Sequence, residues 1–268
     1  MLSMRFFQEV NQNDAQAALK VWLQNIASER GVAMNPFGKI VDGAPAMREV
    51  LRDREADLVG LAIDEFDALH SAFRYTHLYV IVAGGRVEED YVLVTHREGG
   101  RARLADLEGA SLLVYSGPQM ALAEPWLDLE LVRNHLLPGR QHFRSQQMHS
   151  KLTKAVLPVF FRQAEAALVS RRGFETMIEL NPQLGRQLRV IAQSPPVIPM
   201  VVALAAGMDP IVRAQVAANV TEIHKAPGGR QVLNLLQGER LEEITAARLA
   251  PSLALLAEHR RLRATLSP

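Results

Sequence analysis

Four short and almost uninterrupted apolar runs constrain the fold of this chain more than any other feature of its sequence. Strands with one face in water alternate apolar and polar residues, whereas runs without alternation indicate strands buried on both faces. Between Asp14 and Gly31, apolar residues instead recur at helical spacing. Alternating strands and helices predict an α/β fold in which helices cover a mostly parallel sheet. The four runs are Leu58–Ile63, Leu78–Ala83, Tyr91–Thr95 and Ser111–Tyr115.

Small and polar residues follow three of the predicted strands directly. In open α/β sheets, ligands bind in the crevice outside the carboxyl ends of the strands. A helix that follows such a strand offers unpaired N–H groups and a positive dipole end, both of which attract anions. The sequence therefore predicts one composite site that favours an anionic ligand. Its three corners are Asn11 after a strand Arg5–Val10, Ser116-Gly117 after Ser111–Tyr115, and Ser170-Arg171 after a strand Glu165–Val169.

Composition excludes several classes of function. The 268 residues are 48% hydrophobic, which suffices for one large or two modest domains, and the net charge of +1 gives no general attraction to nucleic acid or anionic membranes. Without cysteine, the chain has no disulfide, thiolate metal site or cysteine nucleophile. The longest apolar run, Pro195 to Met208, is shorter than the roughly 20 residues that cross a bilayer. We therefore expect no membrane insertion.

Motifs of catalysis and cofactor binding are missing from the sequence. It contains no HExxH, GxSxG or P-loop pattern, and its eight histidines are scattered without metal-ligand spacing. We therefore expect no catalytic residues, no cofactor and no metal.

Two segments have the character of crossings between lobes. Around residues 80–85 a long strand ends in Gly84 and Gly85, and around residues 193–199 three prolines keep the backbone extended. Two such crossings would form a hinge. They predict a lobe one made of residues 1–83 and 197–268 and a lobe two made of residues 84–196.

A series of short motifs, taken in order and spacing, resembles one family over nearly the whole chain. They are similar to motifs of the phosphonate/phosphate-type periplasmic solute-binding proteins of ABC transporters. The resemblance implies the type II periplasmic-binding-protein fold, in which two α/β lobes are joined by a two-crossing hinge. The motifs are NQNDAQAA at Asn11–Ala18, ADLVGL at Ala56–Leu61, RLADLEG at Arg103–Gly109, the stretch from VFF to ELNP at Val159–Pro182, SPP at Ser194–Pro196, and HKAPGGRQVL at His224–Leu233.

The same resemblance implies a solute receptor and not an enzyme. Such a receptor binds a small anionic or zwitterionic solute by hinge closure and presents the closed form to an ABC transporter permease, and we expect it to be a monomer. A periplasmic location follows if a secretion signal has been removed from this chain, which begins without one; a cytoplasmic location stays open. Two alternatives also remain: a ligand-sensing module of a signalling protein, and a cofactor-biosynthesis enzyme on the same fold.

Lobe two is expected to supply the contacts to the anion. Ser116 and Gly117 can offer a hydroxyl and backbone N–H groups, although Pro118 and Gln119 stand where phosphonate binders of the family usually carry serine and threonine. The structural alternative is a turn and a helix cap with Pro118 as the first helical residue. The remaining candidate contacts are His149 and Ser150, at the start of a predicted helix Lys151–Leu157, and Ser170 and Arg171.

Acidic residues near the predicted crevice suggest that the ligand also carries a positive charge. Asp64, Glu65 and Asp67 follow a predicted strand and would repel a simple phosphate. They either cap a helix predicted at Asp67–Phe73 or bind an ammonium group of the ligand. In the second case the ligand is a zwitterion, which leaves no buried charge unpaired.

Three aromatic residues and one amide complete the candidate set. Phe66, Tyr75 and Tyr115 are either core residues or rings that stack on the ligand. Asn11 is the candidate contact in the first corner, whereas Asp14 is expected to cap the helix that follows.

Overall fold

A computed structural model of the chain describes residues 1–7, 12–30, 38–53, 55–71 and 73–266. These residues form two compact units. Unit one comprises Met1–Val87 and Met200–Ala250, and unit two comprises Glu88–Pro199 and Pro251–Pro268.

Strands and helices alternate along most of the described chain. The first segment contains β1 Leu2–Ser3, α1 Gln12–Arg30, β2 Ile40–Val41, α2 Ala44–Arg52, β3 Leu58–Ala62, α3 Ile63–Leu69 and β4 Tyr75–Val82. The middle segment contains β5 Tyr91–His96, β6 Ser111–Tyr115, α4 Ala123–Arg133, α5 Gly139–His142, β7 Ser145–His149, α6 Leu152–Phe160, β8 Ala166–Ser170, α7 Arg171–Leu180, α8 Pro182–Gln187 and β9 Leu188–Gln193. The last segment contains β10 Met200–Ala205, α9 Pro210–Thr221, α10 Pro227–Leu235, β11 Arg240–Ile244 and α11 Ala250–Leu266.

Each unit is built on its own sheet. In unit one the strand order is β11-β4-β10-β3-β1-β2, and in unit two it is β7-β6-β8-β5-β9. The apolar runs of the sequence form the buried strands of these sheets, and β6 has the predicted bounds Ser111–Tyr115. The core therefore lies along strands that are apolar on both faces, as the runs predict.

The sheets are mixed, which corrects the expectation of a mostly parallel sheet. In unit one, β1 runs parallel to β2 and β3, whereas β10 is antiparallel to both β3 and β4. In unit two, β6 is parallel to β7 and β8, whereas β5 is antiparallel to β8 and β9. Apolar runs report burial and carry no information on strand direction, so the sequence could not distinguish the two arrangements.

The first predicted strand, Arg5–Val10, is wrong in the part that the structure describes. The strand is β1 at Leu2–Ser3, and Met4–Phe7 form a 3-10 turn. Phe6 and Phe7 are adjacent and both buried, at 0% and 3% exposure, and the turn places both rings in the core. Asn11 lies outside the described residues.

The last helix, α11, lies mostly in a different unit from the one that the sequence predicts. The chain passes between units at Val87–Glu88 and Pro199–Met200, next to the predicted crossings, and again at Ala250–Pro251. Most of α11 belongs to unit two, whereas the sequence assigned it to lobe one. Side-chain contacts explain this: Glu258 pairs with Arg133 at 2.8 Å, and the Ser252 hydroxyl accepts a hydrogen bond of 2.8 Å from the backbone of Ile198.

Glu165 joins the beginnings of two central strands in unit two. Its carboxylate accepts hydrogen bonds from the backbone N–H of Ser111, at 2.9 Å, and from the Ser111 hydroxyl. Arg101 and Arg144 lie 3.7 and 3.9 Å from it. Burial raises the pKa of Glu165, but the hydrogen bonds from Ser111 and the two arginines outweigh burial and lower it.

Glu165→Gln is expected to make the free energy of unfolding depend less on pH in the acidic range. Because the folded pKa lies below the unfolded value of about 4.3, the ionised carboxylate stabilises the fold above the unfolded pKa. This contribution is lost as the pH falls through the folded pKa. Urea midpoints of the wild type should therefore fall more steeply than those of the variant between about pH 5 and pH 3. Parallel curves would contradict this, and Glu108→Gln, at an exposed position, is the control.

Candidate functional site

Polar residues collect at the carboxyl edge of the unit-two sheet. Val114 of β6 pairs with Leu168 of β8 in parallel register, and continuing that register brings Ser116 level with Ser170. Because β5 is antiparallel to β8, Tyr91 at its start pairs with Ser170. The end of β8 and the residues before β5 therefore meet at the edge that Ser116 also occupies.

The first turn of α7 carries two arginines that are both paired. The Ser170 hydroxyl caps the helix by accepting a hydrogen bond of 3.3 Å from Gly173 N–H. Arg171 donates to Glu175 at 2.7 Å, and its guanidinium lies 3.5 Å from Asp90. Neither guanidinium is left to solvent alone, since Arg172 pairs with a second carboxylate that precedes β5.

That second carboxylate is Glu89, which the sequence reasoning missed together with Asp90. Both are buried at 5% exposure, and Arg172 lies 3.0 Å from Glu89. Burial raises the pKa of Glu89, while Arg172 opposes the shift. The sequence did contain a signal for these residues, namely two acids directly before the apolar run Tyr91–Thr95. Acids next to a buried strand need cations nearby, so the pair indicated an ion-pair site.

The backbone around Glu89 is bound to the chain that leaves β9. Glu89 and Val197 exchange two backbone hydrogen bonds of 2.8 and 3.0 Å, and the Ser194 hydroxyl accepts from Tyr91 N–H at 2.8 Å. Gln193 lies 3.4 Å from Asp90. The two connecting segments are therefore tied to each other within unit two.

Ser116 and Gly117 form a loop and do not cap a helix. Ser116 N–H donates to the carbonyl of His149 at 2.9 Å, and Gly117 accepts from Met120 N–H at 3.1 Å in a turn. The helix α4 begins only at Ala123, so the structural alternative of a helix cap with Pro118 as the first helical residue is wrong. Ser116 therefore lies in a loop and not at the N-terminus of a helix.

Tyr115 explains why the loop contains glycine. A Cβ atom at Gly117 would lie 2.1 Å from the Tyr115 hydroxyl oxygen and 2.2 Å from its Cζ atom. Tyr115 itself is 6% exposed. The Tyr115 ring therefore packs against the loop as part of the core, and it offers little surface on which a ligand could stack.

His149 and Ser150 do not open a helix. His149 is the last residue of β7, and α6 begins at Leu152. The imidazole lines a cleft beside α6 together with Gln147 and Lys154. The structure therefore joins the backbone of His149 to Ser116 but places its side chain in a second feature of unit two.

In unit one, Asp64 and Glu65 lie in the first turn of α3, which begins at Ile63 and not at Asp67. Asp64 receives two hydrogen bonds of 2.6 Å from Arg5. Glu65 accepts from the backbone of Ala62 at 2.8 Å and from the Ser3 hydroxyl at 2.9 Å. Burial raises the pKa of Glu65, and these hydrogen bonds oppose the shift.

The two aromatic candidates of unit one pack together, with Phe66 buried in the core and Tyr75 half-buried. Phe66 is 2% exposed, and its ring centre lies 5.5 Å from that of Tyr75 and 6.5 Å from that of Phe73.

Asp14 is the third residue of α1, which begins at Gln12, so it lies inside the helix and not at the predicted cap.

The described residues contain neither a metal site nor a helix that could span a membrane. No cluster of three or more acidic or histidine side chains within these ranges is arranged to hold a metal ion. None of the helices in the described part of the chain is long and apolar enough to cross a bilayer.

Comparison with known families identifies the class of protein. Residues 6–249 match the family model described as the periplasmic substrate-binding protein of phosphonate ABC transporters. The chain belongs to this family, and it is a substrate-binding protein and not an enzyme. Family membership implies a small-molecule ligand, an ABC transporter permease as partner and a periplasmic location. Among proteins with curated functions, none matches the chain significantly.

Solved structures confirm the predicted α/β fold of the type II periplasmic-binding-protein class. PhnD1 from Prochlorococcus marinus in complex with methylphosphonate has a TM-score of 0.66 at 11% identity, covering 98% of this chain and 97% of that one. A binding protein of an ABC phosphonate transporter from Pseudomonas aeruginosa has a TM-score of 0.64 at 14% identity, with coverages of 97% and 86%. XAC2383 from Xanthomonas citri bound to ATP has a TM-score of 0.66 at 17% identity, with 97% of each chain covered.

Gly117→Ala is expected to destabilise unit two by about 1–3 kcal/mol, the usual cost of overpacking. The added methyl group would displace the Tyr115 ring. In a Tyr115→Leu background the same change should cost less, because the obstructing ring atoms are gone. Gly207→Ala is the matched control, since a Cβ atom there meets nothing within 4 Å. Equal urea midpoints for wild type and Gly117→Ala would contradict the packing account.

Proposed function

We propose that this protein captures a small anionic solute of the phosphonate or phosphate-ester type at the carboxyl edge of the unit-two sheet. The observation that carries the proposal is the loop at Ser116 and Gly117, which lies level with the capped N-terminus of α7. Backbone amides, a hydroxyl group and a helix N-terminus are the donors that suit a tetrahedral oxyanion.

The charges at this edge support reversible binding. Arg171 and Arg172 face Asp90 and Glu89, so two cations are balanced by two carboxylates. An anion that arrives at the edge would then be held mainly by oriented hydrogen bonds and not by an excess of positive charge. A receptor that must release its solute to a permease benefits from that balance, because a strongly cationic site would retain any anion.

A zwitterionic solute is the finer form of this proposal. The acids first considered for an ammonium group, Asp64 and Glu65, already pair with Arg5 and with the start of α3. Asp90 is the acid at the same edge as Ser116, and an ammonium group of the solute would share its carboxylate with Arg171. An aminophosphonate would satisfy both kinds of contact.

Closure about the connecting segments is the proposed mechanism. The segments that precede β5 and follow β9 are joined by the hydrogen bonds between Glu89 and Val197. Paired segments favour movement of the two units as bodies, which a bound solute would bias towards a closed state. We further propose that the protein acts as a monomer in the periplasm.

Ser116→Ala is expected to weaken binding by about 1–3 kcal/mol, the usual cost of losing a hydrogen bond to a charged group. Calorimetry with phosphate, methylphosphonate and 2-aminoethylphosphonate gives the measurement. Loss of the amine should weaken binding if Asp90 meets an ammonium group. Thr176→Ala, an exposed hydroxyl on α7, is the control. Unchanged affinity in Ser116→Ala for every ligand that binds would remove the carboxyl edge from the proposal.

Ligand binding is also expected to make the protein more compact and to raise its melting temperature, because a solute that stabilises only the closed state adds its binding free energy to folding. Small-angle scattering with the tightest ligand of the panel measures the radius of gyration. A solute that binds without any decrease in that radius would reject closure while leaving the binding role intact.

A further inference from the structure

Unit two contains a second concave feature, which we call the lateral cleft. It has a volume of about 530 Å³ and opens between α6 and the strands β6 and β7. Because β7 is an edge strand of the sheet, the cleft lies at the side of unit two and extends along the strand instead of across its carboxyl end. Its volume is in the range of pockets that hold small molecules, about 300–1,000 Å³.

The strand that lines the lateral cleft is polar and only partly covered, since Ser145 and His149 are half-buried and Gln147 is exposed. Ser145, Gln147 and His149 alternate along β7 and therefore share the face that lines the cleft. Strands under a helix normally present apolar side chains to it, and every residue of β8 in the same sheet is buried. The polar face of β7 is therefore accessible to a ligand that enters the cleft.

Several of these polar side chains have no partner in the described part of the chain, and Gln147, Lys154 and Gln163 are exposed. No hydrogen bond or ion pair within the described part of the chain engages the side chains of Ser145, Gln147, Lys154 or Gln163, all of which line the cleft. Together they offer a hydroxyl, two amides and an ammonium group.

The charges of the lateral cleft favour an anion. Lys154 projects from α6 and Arg144 precedes β7. The one carboxylate among the lining residues, Glu165, is bound to Ser111 and lies near Arg101 and Arg144. Its negative charge is therefore already compensated, and the ammonium group of Lys154 is left to attract a ligand.

We propose that the lateral cleft is a second binding site, for a small anion that also carries several hydroxyl groups. A phosphate ester or a carboxylate of a polyol has this chemistry. The anionic group would meet Lys154 and Arg144, while the hydroxyls would meet Gln147, Gln163 and Ser145, which can both donate and accept. The site differs from the carboxyl edge, where Ser116 and Gly117 lie, so binding there does not depend on the function proposed above.

The test is an NMR titration that follows the side-chain amide signals of Gln147 and Gln163. The probes are ribose 5-phosphate and gluconate, which separate a phosphate ester from a carboxylate, and uncharged ribose. At least one of the anions should shift both signals, and ribose should bind at least about tenfold more weakly. Lys154→Gln should raise the Kd about tenfold or more, the usual effect of losing a charged hydrogen bond.

Lys151→Gln is the matched control, because this lysine is exposed at the start of α6 and does not line the cleft. An equal loss of affinity in both lysine variants would mean non-specific attraction and would overturn the proposal. So would the absence of shifts at Gln147 and Gln163 with both anions. Shifts confined to the amides of Ser116 and Gly117 would assign the anions to the carboxyl edge and leave the lateral cleft without a ligand.

Discussion

The ion pair between Glu89 and Arg172 is the interaction on which the proposed site depends. It joins the residues before β5 to the first turn of α7, and thereby fixes the end of β8 beside the start of its antiparallel neighbour. A carboxylate that is 5% exposed is tolerated only with a cation and hydrogen bonds close by. Arg172 supplies the charge, and the backbone pairing with Val197 holds the segment in register.

We propose that this charge compensation also limits which anions the edge can bind. Were Arg171 and Arg172 unpaired, their charges would attract any polyanion, and this attraction would depend strongly on salt. Because Asp90 and Glu89 compensate them, the proposed site would select its ligand mainly through directional donors such as the Ser116 hydroxyl. In the lateral cleft, by contrast, no carboxylate within the described residues pairs with the ammonium group of Lys154. One sheet therefore offers a balanced edge and a cationic side.

Packing, like charge, restricts which residues the loops can carry. The Tyr115 ring occupies the space that a side chain at position 117 would need, so the loop after β6 must carry glycine there. In unit one, Asp64 is paired with Arg5, and Glu65 accepts hydrogen bonds from Ser3 and from the backbone at the start of α3. Residues that resemble ligand contacts in a sequence can thus have hydrogen-bond partners within the fold instead.

The sequence by itself determined the α/β class, the four strands β3 to β6 that the apolar runs form, and the polar corners at Ser116 and Ser170, because uninterrupted apolar runs and strand-to-helix junctions are local signals. Only the tertiary structure decided the direction of β5 and β10, the assignment of α11 to unit two, and the partners of Glu89. Strand direction, ion pairing and the space around Gly117 depend on residues far apart in the chain. Burial and charge compensation are set by those distant neighbours, which no local pattern reports.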